Sequence, residues 1–236
     1  MASQTATTEI TYAKANNLTS DIIWYTELFN DRMLINLLLL LIGKSTDTQT
    51  VFGTGNNSSY VSDYDSGVKN TGTMNTKGLF WGNRDNKNGV KVFGIEHWYG
   101  NIWRRIGGWI NDKGTQKIKM TYGQSDGSTS DGYNETGSGY ISIGDATPSG
   151  TSSGYISKML ITDNGLIPTI ASGSATTYYC DGLFFNNSQV DYAFVGGASN
   201  NTSHVGALYS NLNSPYLHKN WNNSAAISCK PLAKSS

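Results

Sequence analysis

The stretch GIEHWYGNIWRRIGGWIND, residues 94–112, holds three Trp, one Tyr, one His, the adjacent Arg104 and Arg105, and the pair Gly107-Gly108. A run of this kind can be a catalytic cleft, a nucleic-acid groove or the centre of a core. Gly100-Asn101 is a turn signal. Ile102, Trp103 and the residues after them then read as a strand, with Trp103 and Trp109 as core residues. Arg104 and Arg105 point to opposite faces of a regular strand. One is expected to be exposed, and the other to pair with an acid such as Glu96.

Around this stretch the chain is sparsely charged. Only 14% of its 236 residues are charged, against roughly 25% in an average soluble protein. Lys+Arg and Asp+Glu number 17 each, so the net charge is zero, and nothing electrostatic calls for nucleic acid or acidic lipid. Two adjacent Arg in a neutral chain do not change that expectation. The surface must be covered by Asn, Ser, Thr and Gly, as in secreted modules and virus particles.

Upstream, MLINLLLLLIG (Met33 to Gly43) is the one strong helix signal. Asn30-Asp31 precedes it, Gly43 is placed to end it, and Lys44 complements its C-terminus. Its apolar run of about ten residues spans ~15 Å, half of a bilayer core. Being apolar nearly all round, it is expected to be buried on several sides, over residues 31 to 43. Ser20-Asp21 reads as the cap of a short helical turn before IIWYTELF. Residues 1–18 are polar with an alternating TEITYA, which predicts an extended arm or edge strand. MASQTATTEITYAKANN lacks the apolar segment of a signal peptide.

Downstream, short apolar or alternating runs are separated by Gly, Asn, Asp and Ser, from GLFWG and VKVFGI to YAFVGG, VGALYS and AAISCKPL. These are strand and turn signals. A second, short helix is expected at Ile95 to Tyr99. Residues 124–154, rich in Gly and Ser, read as a surface insertion. The expected fold is α+β, with one buried N-terminal helix, many short antiparallel strands and long loops. Residues 1–18 form the arm and residues 19–236 a single domain.

The order Gly94-Ile95-Glu96, then Gly100-Asn101-Ile102-Trp103, resembles the segment of the formylglycine-generating-enzyme family that turns into a central Trp-bearing strand. That family is a branch of the C-type-lectin-like fold. Arg104-Arg105 departs from its Glu-Trp. VGG (195–197), GALY (206–209) and the Asn/Ser-rich stretch before the last strand resemble the family's closing pattern. The early helix followed by GKSTDTQTVFG resembles lectin-like domains of bacteriophage tail and surface proteins, including phage tropism determinants. The resemblance covers roughly residues 20 to 232. It implies a C-type-lectin-like domain of a bacteriophage virion protein.

The chemistry of the enzyme branch is not expected, because its copper-binding cysteine pair has no counterpart. Cys229 stands near the C-terminus and Cys180 lies far from it in sequence. The two are read either as buried free thiols or as one disulfide. His97, His204 and His218 lie beside no nucleophile motif. GKST at 43–46 lacks the first Gly of a phosphate loop. The calcium-sugar motifs of true lectins are missing too, so no metal and no cofactor is expected. What remains is a Tyr/Asn/Ser/His-rich C-terminal surface with the character of a paratope. On the phage resemblance, the candidate ligand-binding residues are Asn200, His204, Tyr209, Tyr216, His218 and Trp221. The expected function is attachment of a particle to a host-surface glycan or protein. The alternative is a capsid or tail decoration protein docked to other virion proteins by its N-terminal arm. A homo-oligomer is expected in either case.

Overall fold

The computed structural model describes residues 2–17, 22–119, 136–144 and 146–231. In chain order its elements are α1 (Ala6–Lys14), β1 (Ile22–Thr26), α2 (Phe29–Gly43), α3 (Thr48–Phe52), β2 (Lys91–Val92), β3 (Ile95–Glu96), β4 (Trp103–Asp112), β5 (Thr115–Ile118), β6 (Ile141–Ser142), β7 (Ser149–Gly150), β8 (Ser153–Thr162), β9 (Gly165–Gly173), β10 (Gly182–Phe185), β11 (Val190–Val195), β12 (Ser210–Ser214), β13 (Asn223–Ser224) and β14 (Ile227–Pro231). The chain is β-rich α+β. Among the described residues one sheet runs β6-β5-β4-β11-β12-β10-β8-β9-β7, with β13 also pairing β4, and two smaller sheets pair β1 with β14 and β2 with β3.

The opening stretch is the middle of the large sheet. β4 is buried from Trp103 to Asn111, because β11 lies along one edge and β5 and β13 share the other. Tyr192 pairs with Ile110 while Phe194 pairs with Arg105, so β4 spends four residues opposite Ala193. Gly107-Gly108 forms this bulge. Gly108 has φ +83°, a conformation that costs a side-chain-bearing residue dearly. Trp103 and Trp109 are 3% and 0% exposed, in agreement with their reading as core. Trp109 meets Phe29 edge-on at 5.5 Å.

Both Arg are buried, which corrects the expectation of one exposed. Arg104 pairs not with the Glu96 side chain but with Glu27, at 3.5 Å. It takes only backbone oxygens from Glu96 and His97, both at 2.7 Å. The Glu96 carboxylate instead accepts from the Gly72 and Met74 N–H groups. Glu27 also meets Arg32 at 3.5 Å, and the Arg32 guanidinium lies 3.9 Å over the Trp98 ring.

α2 lies where the sequence places it, but one face is not covered. The helix buries Phe29, Arg32, Met33, Asn36 and Leu39. Leu34, Leu41 and Ile42 are 60%, 72% and 54% exposed. The core-facing stripe admits two polar residues because both find partners there. Arg32 donates to the Trp98 oxygen at 2.9 Å. Asn36 donates to the Ala207 oxygen at 2.7 Å and accepts from the Trp98 indole at 2.9 Å. The left-handed residue that ends the helix is Lys44, not Gly43.

Two other expectations change, and a third falls partly outside the described residues. Ile22–Thr26 is a strand, with Trp24 opposite Cys229 in β14; Ser20 and Asp21 lie outside the described residues. Ile95–Tyr99 is not helical: β3 turns back on β2, and His97 takes φ +54°. Residues 120–135 and 145, within or beside the expected insertion, also lie outside the described residues.

The expected extended arm contains a helix instead. Thr5 caps α1 by accepting from the Thr8 N–H. Ala6, Glu9, Ile10 and Ala13, at helical spacing, are buried against the body of the same chain. Glu9 meets Arg105 at 3.0 Å. Burial nevertheless raises the Glu9 carboxyl from 4.5 to about 7, with Arg105 and the N-terminus opposing the rise. A raised acid contributes stability fully present below its unfolded value of 4.5 and lost as pH rises through about 7. The Glu9 contribution to the unfolding free energy is therefore expected to fall from pH 5 to pH 8, on top of what the other titrating groups contribute. Glu9→Gln should remove roughly 1–3 kcal/mol of that fall, since each tenfold change in proton affinity is worth about 1.4 kcal/mol. Urea titrations of both proteins at the two pH values check it. An undiminished fall in Glu9→Gln would refute the assignment.

Candidate functional site

The turn before β4 organises the surface above it. Asn101, at φ +80°, accepts from the Asn56 side-chain amide at 2.9 Å and from the Lys69 N–H at 2.7 Å. Its own N–H donates to the Asn56 oxygen at 2.6 Å, and its oxygen accepts from the Ser199 N–H at 3.1 Å. One buried Asn thus ties the loop around residues 54–70 to the loop around 196–204. Two further backbone bonds close the seam: Tyr60 N–H to the Ser199 oxygen at 3.2 Å, and Thr202 N–H to the Asn57 oxygen at 2.9 Å.

Two aromatic pairs stand on this frame. Trp221 stacks on Tyr60 with centroids 4.9 Å apart and planes 12° from parallel. His204 stacks on Tyr155 at 4.2 Å and 13°, and the Tyr155 hydroxyl bonds Ser203 Oγ at 2.5 Å. The exposed Asn200, Thr202 and Ser203 lie on the loop that carries His204 and that bonds Tyr60 through Ser199 and Tyr155 through Ser203. Burial lowers the His204 pKa from its ordinary 6.5, so the imidazole is neutral at pH 7. The surface offers ring faces, hydroxyls and amides on a rigid base, which hold a ligand by stacking and hydrogen bonding.

Asn200, His204 and Trp221 therefore belong to one surface. Tyr209 does not. It is 0% exposed, with its ring 4.5 Å from Trp103 and 5.5 Å from Phe184. The GALY segment carries it into the core, which corrects its expected place on a ligand-binding face. Tyr216 and His218 form a separate group. Their backbone oxygens accept from Arg105 at 2.8 and 2.6 Å. The Tyr216 ring meets Tyr192 edge-on at 5.3 Å, and its hydroxyl bonds Thr7 Oγ1 at 2.5 Å. Tyr216 holds α1 directly through Thr7, and both residues fix the Arg105 that pairs with Glu9.

No protein-family model and no curated protein matches the chain.

Two residues of the surface escaped sequence reasoning. Tyr60 sits in GNNSSYVSDYD, which has the same Tyr/Asn/Ser composition as the C-terminal stretch and was findable by it. Nothing in the sequence places Tyr155 beside His204. That proximity is made by the sheet, where β10 pairs with both β8 and β12. Both cysteines are free, Cys180 buried and Cys229 exposed, so they are neither a disulfide nor two buried thiols. Burial pushes the Cys180 thiol up. Among the described residues no group of three or more His, Cys, Asp or Glu is placed to hold a metal ion. No described helix is long and apolar enough to cross a membrane.

Proposed function

We propose that the protein is a non-catalytic, C-type-lectin-like binding module of a bacteriophage particle. It attaches to a host-surface glycan or protein through the surface formed by Tyr60, Tyr155, Asn200, His204 and Trp221. The single observation that carries the binding reading is the presence of two stacked aromatic pairs on one hydrogen-bonded loop frame. The order of the early helix, the Gly100-Asn101 turn and the buried Trp strand supports the lectin-like part. The alternative is a decoration protein whose polar surface serves solubility and whose N-terminal arm docks it to the particle; the packing of α1 on its own domain favours the binding reading.

Binding energy at such a surface concentrates in a few aromatic anchors. Trp221→Ala and Tyr155→Ala are each expected to weaken binding of the labelled protein to its receptive cells at least ~30-fold, which corresponds to about 2 kcal/mol. Tyr12→Ala, on the exposed side of α1, should leave binding unchanged. A panel of bacterial surfaces and immobilised glycans identifies the receptive surface, and thermal melts of the same variants control for folding. Two folded variants that bind like the wild type would refute this surface, and a decoration role would then be the better reading.

A further inference from the structure

A cleft of about 250 Å³ opens beside the Gly100-Asn101 turn. Its rim is the exposed Lys69-Asn70-Thr71 segment. Glu96, His97, Asn101, Arg104 and Ser224, each 9% exposed or less, line it from within. Asn101 fixes the rim: its Oδ1 accepts from the Lys69 N–H at 2.7 Å, and its Nδ2 donates to the Lys69 oxygen at 3.1 Å. Asn70 likewise bonds its neighbours through its backbone oxygen. Among the described residues, the side chains of Lys69, Asn70 and Thr71 therefore stay available to a ligand. No Phe, Tyr or Trp lines the cleft, and neither aromatic pair of the attachment surface takes part in it.

The charge beside this cleft is positive and unbalanced. Arg32, Glu27 and Arg104 form a buried group of two cations and one carboxylate, and a buried charge without a counterion is costly. Asp181, the next carboxyl toward Arg32, is held well above its usual range by burial and does not balance the group at pH 7. Asp31 is turned to Leu28, Tyr25 and Ser228. Arg104 is the member of the group that lines the cleft. Its Nη2 serves the Glu96 and His97 oxygens, and its Nη1 meets Glu27 only at 3.5 Å. Of the five N–H donors of a guanidinium, the three on Nε and Nη1 thus make no hydrogen bond among the described residues. Lys69 adds a second cation at the rim, in no ion pair with a described residue. The one acid that lines the cleft, Glu96, has its oxygens engaged by the Gly72 and Met74 N–H groups at 2.6 and 2.9 Å. Burial lowers the His97 pKa, so that imidazole is neutral at pH 7.

We propose that this cleft binds a small hydroxylated carboxylate, a sugar acid, with its carboxylate between Arg104 and Lys69 and its hydroxyls on the side chains of Asn70 and Thr71. The site is separate from the attachment surface and does not rest on it. The test is isothermal titration of the full chain with hexuronates and N-acetylneuraminate, against glucose and sodium sulfate. At least one sugar acid is expected to bind with a Kd on the order of 1 mM, the scale for a ligand of about a dozen heavy atoms. Glucose lacks the charge and sulfate lacks the hydroxyls, so each should bind at least ~10-fold more weakly, the effect of losing one charge-assisted hydrogen bond. Lys69→Gln should raise the Kd of the sugar acid at least ~10-fold for the same reason, and Lys69→Arg should restore it to within severalfold. Thr71→Val, which removes a hydroxyl from the exposed rim, should weaken binding severalfold, and thermal melts show that all variants keep the fold. Trp221→Ala should bind the sugar acid like the wild type, which separates this cleft from the attachment surface. A wild type that binds no sugar acid, or that binds glucose or sulfate as tightly, would overturn the proposal. So would an unchanged Kd in Lys69→Gln, or a sugar-acid affinity that is lost in a folded Trp221→Ala.

Discussion

Glu27→Ala is expected to lower the unfolding free energy by about 3–5 kcal/mol, the usual cost of removing one partner from a buried ionic group. Glu27 stands between Arg32 and Arg104, 3.5 Å from each, and the side chains of Glu27 and Arg32 are 4% and 0% exposed. Burial already depresses the Arg32 pKa to about 10, against the opposing pull of Glu27 and with Arg104 adding to the depression. Without the carboxylate, two guanidinium groups share a buried site in which backbone oxygens, the Trp98 ring and, for Arg32, the more distant carboxyl of Asp181 are what remains. Arg32 keeps its proton at neutral pH even so, and the penalty falls on folding. Urea denaturation at pH 7 reads it directly. Glu27→Gln, which keeps the shape and loses the charge, should show most of the same loss. A loss below about 1 kcal/mol would mean that water reaches the two Arg and that the triad contributes little.

Tyr209 separates packing from polarity in a single position. Tyr209→Ala is expected to cost about 3–5 kcal/mol, as large aromatic-to-alanine changes in cores do. Tyr209→Phe should be neutral or slightly stabilising, because the buried hydroxyl has no hydrogen-bond partner among the described residues and its removal relieves an unmet desolvation cost. The two variants have opposite consequences for any attachment assay. Alanine abolishes binding by unfolding the domain, while phenylalanine leaves binding intact. If Tyr209→Phe stayed fully folded and yet failed to bind, the hydroxyl would have to be reachable by ligand, against its burial.

How much of this is readable from the sequence varies by element. β4 is legible because Gly100-Asn101 marks its start and its two Trp leave few places except a core. α2 is legible in position but not in orientation. A run of leucines looks the same from every side, and the polar residues that face inward, Arg32 and Asn36, do so for partners on Trp98 and Ala207. α1 reads as extended because Thr-Glu-Ile-Thr-Tyr alternates with period two while Ala6, Ile10 and Ala13 repeat at helical spacing, and only docking chooses between the patterns. The partners of Arg104 and Arg105 are hidden for one reason. Glu27 and Glu9 come from segments far away in the chain, and a spacing argument sees only neighbours. The candidate surface divides in the same way: the phage resemblance points to Asn200, His204 and Trp221, the composition around residue 60 would have reached Tyr60, and Tyr155 is brought there by topology.

The pairing of Trp24 with Cys229 has a consequence in time. During synthesis β1 emerges long before its partner β14. Closing so long a loop costs entropy before any contact repays it, and non-local pairings of this kind slow folding. The β1–β14 ribbon is therefore the last piece to close, and β1 must wait unpaired while the large sheet assembles behind it. A nascent chain halted short of β14 would present β1 as an open edge, the state in which a β-rich chain is most exposed to wrong partners.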